Sequence, residues 1–129
     1  MPLVTINLSK SWSLEDQKLI ADGIHEAIVG VGFPKADRFQ KICSLSRDQF
    51  IYDERHPNLT ESRTEKFVLL EIVISLGRSV EFKKDLLTRI VRNLKKKPGI
   101  APNDVMVLFI ETARENWACA NGIKYYVET

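Results

Sequence analysis

Val4, Ile6 and Leu8 alternate with Thr5 and Asn7 at the start of the chain, the period of two that a half-buried strand shows. The pattern then changes to a helical one. Ser13-Leu14-Glu15-Asp16 has the form of a helix start, with Ser13 as N-cap and acids in the first turn. Ile20, Ile24, Ala27, Ile28 and Val31 follow at helical spacing, and Gly30, Gly32 and Pro34 end the helix. Residues 39–45 read as a second strand and residues 50–52 as a short third. Residues 53–65 are polar, hold Pro57 and have no period; loops of that length in compact domains are often lids or binding segments. Residues 67–76 form the most apolar run of the chain, and Gly77-Arg78 follows directly. Val80, Leu86, Leu87, Ile90, Val91 and Leu94 predict a second helix that Pro98-Gly99 ends. Residues 104–111 predict the next strand, with Trp117 just beyond it, and residues 122–127 a last short strand or a tail packed on a neighbour.

The two halves repeat one another. At an offset of 66, Ser13-Leu14-Glu15 matches Ser79-Val80-Glu81, and Ile6 and Leu8 match Ile72 and Ile74. After one inserted residue the offset is 67: Asp37 matches Asp104, Arg47-Asp48 matches Arg114-Glu115, and Phe50 matches Trp117. An α/β (α+β) fold is therefore predicted, with two pseudo-symmetric β-α-β units forming one mixed sheet and two helices on one face. One domain is expected over residues 1–129, divided into a first unit at about 2–52, a polar loop at about 53–65 and a second unit at about 67–129. Packing about a pseudo-twofold axis would set the two first strands side by side and antiparallel. Pro2 would then lie near Arg78, and the mirror pairing would bring Val68 near Trp12, leaving one chemical site per chain and a degenerate duplicate. Two helices can cover one sheet face only, yet residues 67–76 and 105–110 are apolar on both. A closed homo-oligomer is expected to bury the second face.

The 129 residues, 44% of them hydrophobic, suffice for a core without disulfide or metal. Nineteen basic against 17 acidic residues give a net charge of +2, which lacks the electrostatic footprint of a dedicated nucleic-acid binder. Lys95-Lys96-Lys97 closes the second helix, where cations complement the helix dipole. Cys43 and Cys119 have no metal-ligand spacing. No apolar run reaches transmembrane length, and the start of the chain lacks the regions of a signal peptide. The expectation is a reduced, cytoplasmic protein without cofactor, metal, membrane or nucleic-acid partner. His25 falls within the first helix and reads as a packed or surface residue.

The candidate chemistry begins at Pro2. If Met1 is removed, Pro2 becomes a free secondary amine at the mouth of the sheet; otherwise it is simply a proline at the first position of a strand, where no ladder bond is lost. An α-amino group has a reference pKa of roughly 7.7 to 8.0, so desolvation or a nearby arginine would leave it a neutral base. A neighbouring carboxylate such as Asp37 would push the other way, toward a general acid. Arg78 carries a planar cationic fork suited to a substrate carboxylate or a developing enolate, although a surface salt bridge would also explain it. Asp37 and its repeat mate Asp104 can both serve simply as turn residues.

Taken together, Pro2 at a strand start, Pro34-Lys35-Ala36-Asp37-Arg38-Phe39-Gln40 after the first helix, Gly77-Arg78-Ser79 before the second, and Glu115-Asn116-Trp117 near the end resemble the tautomerase superfamily over nearly the whole chain. The likeness is to its long, internally duplicated members, nearest the malonate semialdehyde decarboxylase branch. The resemblance implies a β-α-β trimer of the 4-oxalocrotonate tautomerase kind, with an amino-terminal proline acting on small carboxylate-bearing substrates. It implies Pro2, Arg78 and Asp37 as catalytic residues, Asp37 orienting Pro2 or a water. Arg38 would pair with Asp37 or face the substrate, and Trp117 and Phe50 would exclude water from the proline. That branch carries two arginines around this strand end, and here the first position is Leu76; Trp12 stands where shorter tautomerases have an arginine. Enol-keto tautomerisation of small 2-oxo or 2-hydroxyenoate carboxylates is thus expected ahead of decarboxylation or hydration of a 3-oxo acid such as malonate semialdehyde. A non-catalytic oligomeric scaffold of the same fold is the rival from another class. A ferredoxin-like RNA-binding module is ranked last, since the basic aromatic strand motif is missing.

Overall fold

The computed structural model of the chain describes residues 1–123. Its regular elements are β1 (Leu3–Ser9), α1 (Leu14–Gly30), β2 (Phe39–Leu45), β3 (Val68–Ser75), α2 (Val80–Lys96) and β4 (Val105–Thr112). Each helix starts where a serine caps it. Ser13 accepts from the Asp16 amide at 3.1 Å and Ser79 from the Phe82 amide at 3.0 Å, satisfying a donor that has no partner within the helix. Lys95 and Lys96 occupy the last turn of α2, beside the negative end of its dipole.

The four strands form one mixed sheet in the order β2-β1-β3-β4. β1 and β3 run antiparallel at its centre, from Leu3 opposite Val73 to Leu8 opposite Val68. β2 pairs parallel with β1, and β4 parallel with β3. The expected pair of β-α-β units and the antiparallel contact of their first strands are both present. Alternation decides which face is inside. Val4, Ile6, Leu8, Leu70, Ile72 and Ile74 point to the helices, where Ile20, Ile24 and Ile28 of α1 and Leu86, Ile90 and Leu94 of α2 complete a core with 0–1% exposure. Burying each such side chain stabilises the fold by roughly 1.5–3 kcal/mol. The other face keeps Leu3, Met106 and Leu108 at 40–52% exposure. The helices touch where Asn93 donates to the Gly23 carbonyl at 2.9 Å, and a Cβ at Gly23 would already lie 3.4 Å from Leu94.

The third strand expected at residues 50–52 does not form. Arg47–Gln49 is a turn of 3-10 helix, and Phe50 and Tyr52 fold onto Phe67, with ring centroids 5.5 and 4.3 Å away. Aromatic packing outweighs a three-residue ladder there. The loop that follows is fastened at its end by Asp104, 2% exposed, whose carboxylate accepts from the amide and hydroxyl of Thr64, both at 2.7 Å. Of the last expected strand, residues 124–127 lie outside the described residues, while Ile123 turns back to the Ala120 carbonyl. No helix among the described residues is long and apolar enough to cross a membrane.

Candidate functional site

One end of the sheet gathers chemistry from four segments. Stepping outward from the Leu3–Val73 pair, Pro2 lies at the end of β3 that leads into Gly77-Arg78-Ser79. Gly77 takes φ +103, a conformation that a side chain disfavours, and so turns the chain from strand to helix with Arg78 at the corner. The Arg78 guanidinium is laid over the rings of Phe33 and Phe82, at 4.8 and 4.9 Å from their centroids, and those rings pack edge to face at 6.1 Å. This aromatic seat fixes the direction of the cation. β4 ends beside β3, where the Leu76 amide donates to Thr112, and the turn Arg114–Asn116 then carries Trp117 toward the start of β1.

Asp37 closes the turn after α1, its amide donating to the Pro34 carbonyl. Its Oδ2 lies 3.8 Å from the Met1 amine, which is three bonds from the Pro2 nitrogen. Its Oδ1 and the Trp117 indole Nε1 are buried without a hydrogen-bond partner among the described residues. Orphaned polar atoms of this kind are costly unless something binds to them. Pro2 itself is buried. The Met1 amine is held below the ordinary 8.0 of an α-amino group, chiefly by burial; Asp37 pulls it up, Arg78 and Arg114 push it down, and Cys119 adds a smaller upward pull. Met1 lines a cavity of about 180 Å³ together with Leu3, Phe39, Trp117 and Cys119, and its sulfur is 3.4 Å from the Cys119 thiol. Among the described residues, no group of three or more His, Cys, Asp or Glu is placed to hold a metal ion.

Not every expected residue comes to this end. Arg38 follows Asp37 in sequence but points away from it, its guanidinium donating to Asp22 of α1 at 2.8 Å and to Gln40 at 2.9 Å. Phe50 lies at the far end of β1, against Phe67 and Tyr52. Arg114, Cys119 and the Phe33–Phe82 seat stand here without having been singled out by sequence. For Arg114 the signal was present, since Arg47 is its repeat mate; for Phe33 there was none. Arg114 supplies a second cation beside Arg78, close enough to act on the Met1 amine.

A family model described as a tautomerase enzyme matches residues 37–120. The chain is 25% identical over 123 residues to the probable tautomerase YrdN of Bacillus subtilis (strain 168), covering 95% of this chain and 93% of that protein. Among solved structures it is similar to FG41 malonate semialdehyde decarboxylase inhibited by 3-bromopropiolate, with TM-score 0.87, 29% identity, and coverage of 94% of this chain and 91% of that one. The fold is also that of a fused 4-OT described as a wild-type symmetric trimer, with TM-score 0.76, 17% identity, and coverage of 95% and 94%.

Proposed function

The chain belongs to the tautomerase family of enzymes, and from that footing we propose that it interconverts the enol and keto forms of small 2-oxo carboxylates, with the Pro2 amine as acid and base. The proposal requires removal of Met1, which frees the Pro2 nitrogen and empties the space that Met1 fills. The observation that carries it is the environment of the Met1 amine, three bonds away: half-buried, facing Asp37, and held below the ordinary α-amino value with Arg78 and Arg114 as contributors. A Pro2 amine in the same surroundings is pushed the same way, toward the neutral form that is able to take a proton.

In ketonisation, neutral Pro2 takes the hydroxyl proton of the 2-hydroxyenoate. The resulting enolate is held by the Arg78 fork, which also binds the carboxylate. The Pro2 ammonium then returns the proton to C3, giving the 2-oxo acid and restoring the amine. Asp37 steadies the ammonium between these steps, and Trp117 with Leu3 and Phe39 keeps water from it. A second reading, decarboxylation of a 3-oxo acid, is favoured by Arg114 as an additional cation. There the C–C bond breaks, carbon dioxide leaves, and the enolate takes its proton from a Pro2 that begins protonated.

The two readings differ in the sign of their pH dependence. For the tautomerase, kcat/KM on enol-phenylpyruvate rises with pH through the amine pKa and then levels. Asp37→Asn removes the anion that favours the ammonium and moves this limb to lower pH; Arg114→Ala removes an opposing cation and moves it to higher pH. Stopped-flow profiles of the three proteins measure this, and a rate that falls as pH rises through neutrality contradicts base catalysis and supports the decarboxylase.

We further propose that the outer sheet face is where copies meet in a closed trimer. Leu3, Phe39, Met106, Leu108 and Ile110 stand 38–52% exposed there, and burying a face this apolar is a strong drive to association. Sedimentation velocity should give three chain masses; a monomer at micromolar concentration removes the trimer.

A further inference from the structure

We propose that the cleft at the opposite end of the sheet is a second, non-catalytic site for small monocarboxylates with an aromatic or apolar body. It encloses about 360 Å³ and is lined by Ser9, Lys10, Ser11, Arg47, Phe50 and Tyr52, a volume in the range of small-ligand sites. The internal repeat maps it onto the catalytic end. Ser9 matches Ser75, Ser11 matches Gly77, Arg47 matches Arg114, Phe50 matches Trp117 and Tyr52 matches Cys119.

Acid–base chemistry is missing from this copy. The match of Pro2 is Val68, whose nitrogen is a mid-chain amide, and the match of Asp37 is Asp104, whose two oxygens are both taken by Thr64. The match of Met1 is Phe67, 2% exposed and packed against Phe50 and Tyr52, so the space that Met1 vacates at the catalytic end stays filled here.

Anion-binding groups, by contrast, remain. Arg47 is stacked on the Tyr52 ring, 3.9 Å from its centroid, and donates one bond to the Phe50 carbonyl at 2.9 Å; the guanidinium has five N–H groups, so donors remain for a ligand. Lys10 adds a cation at the position where the catalytic end has Leu76. The Ser9 and Ser11 hydroxyls are joined at 2.9 Å, leaving one hydroxyl proton to donate to an oxyanion. Glu65 also lines the cleft, so the lining side chains carry one excess positive charge, which suits a monoanion. Phe50 and Tyr52 provide the apolar wall.

The experiment is equilibrium dialysis of radiolabelled phenylacetate against the assembled protein. The wild type is expected to hold two equivalents per chain and Lys10→Glu one, with its thermal midpoint retained. Excess inorganic phosphate is expected to leave the Lys10-dependent equivalent bound. One equivalent in the wild type, two in Lys10→Glu, or displacement by phosphate each overturn the proposal. The ligand class rests on the carboxylate reading of the first site, but the two fail separately. If Arg78→Ala keeps both equivalents while Lys10→Glu loses one, the Arg78 anchor falls and the second site stands.

Discussion

Protein that retains any residue ahead of Pro2 will turn over enol-phenylpyruvate at least about 10²–10⁴-fold more slowly than protein that begins at Pro2, the range that positioned acid–base catalysis contributes. An acylated proline nitrogen is an amide, with no proton to give and a lone pair delocalised into the carbonyl. Met1 would also stand as part of the wall of the cavity it lines with Leu3, Phe39 and Trp117, narrowing the space that the substrate needs. Pro2→Ala in the processed chain is expected to be milder, a loss of about tenfold to 10²-fold, because alanine still offers an amine at that place. Its nitrogen has no ring to orient it between Asp37 and the two arginines. Intact mass establishes which residue is first in each preparation, and enol depletion at 25 °C gives the rate. Equal turnover by the extended and processed chains would refute the proline mechanism, and a rate no faster than the uncatalysed one in both would leave the scaffold reading.

The juxtaposition behind that prediction was legible because it follows from periodicity and repetition. Two copies of strand, serine-capped helix and strand, related by a pseudo-twofold, bring the start of β1 to the end of β3, as the Leu3–Val73 pairing shows. What was not legible depends on side-chain direction and tertiary packing. Asp37 and Arg38 are neighbours in sequence, yet Asp37 faces the Met1 amine and Arg38 faces Asp22 of α1; no period exists in the irregular connection 31–38 to assign those sides. Residues 50–52 carry strand-forming side chains, but Phe67, the repeat mate of Met1 and later in the chain, draws Phe50 and Tyr52 out of any ladder. Phe50 was matched to Trp117 by the repeat, and the match holds as geometry. It places each aromatic at its own end of the sheet, so the two cannot wall one pocket within the chain. The divergence of Asp37 and Asp104 is equally a matter of what lies opposite: Thr64 takes both oxygens of one, and one oxygen of the other is left orphaned.

Arg78→Ala will lower kcat/KM for enol-phenylpyruvate by about 10²–10³-fold, the scale measured when a donor to a developing oxyanion is removed. Part of the loss will appear in KM, since the carboxylate is present in the ground state, and part in kcat, since negative charge on the enolate oxygen grows toward the transition state. Arg78→Lys retains the charge but not the planar fork and should recover a minor part. A methyl ester of the same substrate separates anchoring from folding. The wild type should prefer the acid to the ester by a wide margin, whereas Arg78→Ala should treat them nearly alike. A variant damaged only in structure would lose both substrates in proportion. The aromatic pair beneath the guanidinium makes a benign fold plausible for this variant, because Phe33 and Phe82 contact each other directly at 6.1 Å and Phe33 is only 8% exposed. The pH profile adds an independent sign. Arg78 pushes the amine at this end of the sheet downward, so its removal should move the rising limb to higher pH, opposite to the effect of Asp37→Asn. A limb that stays in place while the rate collapses would mean that Arg78 touches substrate without acting on the proline.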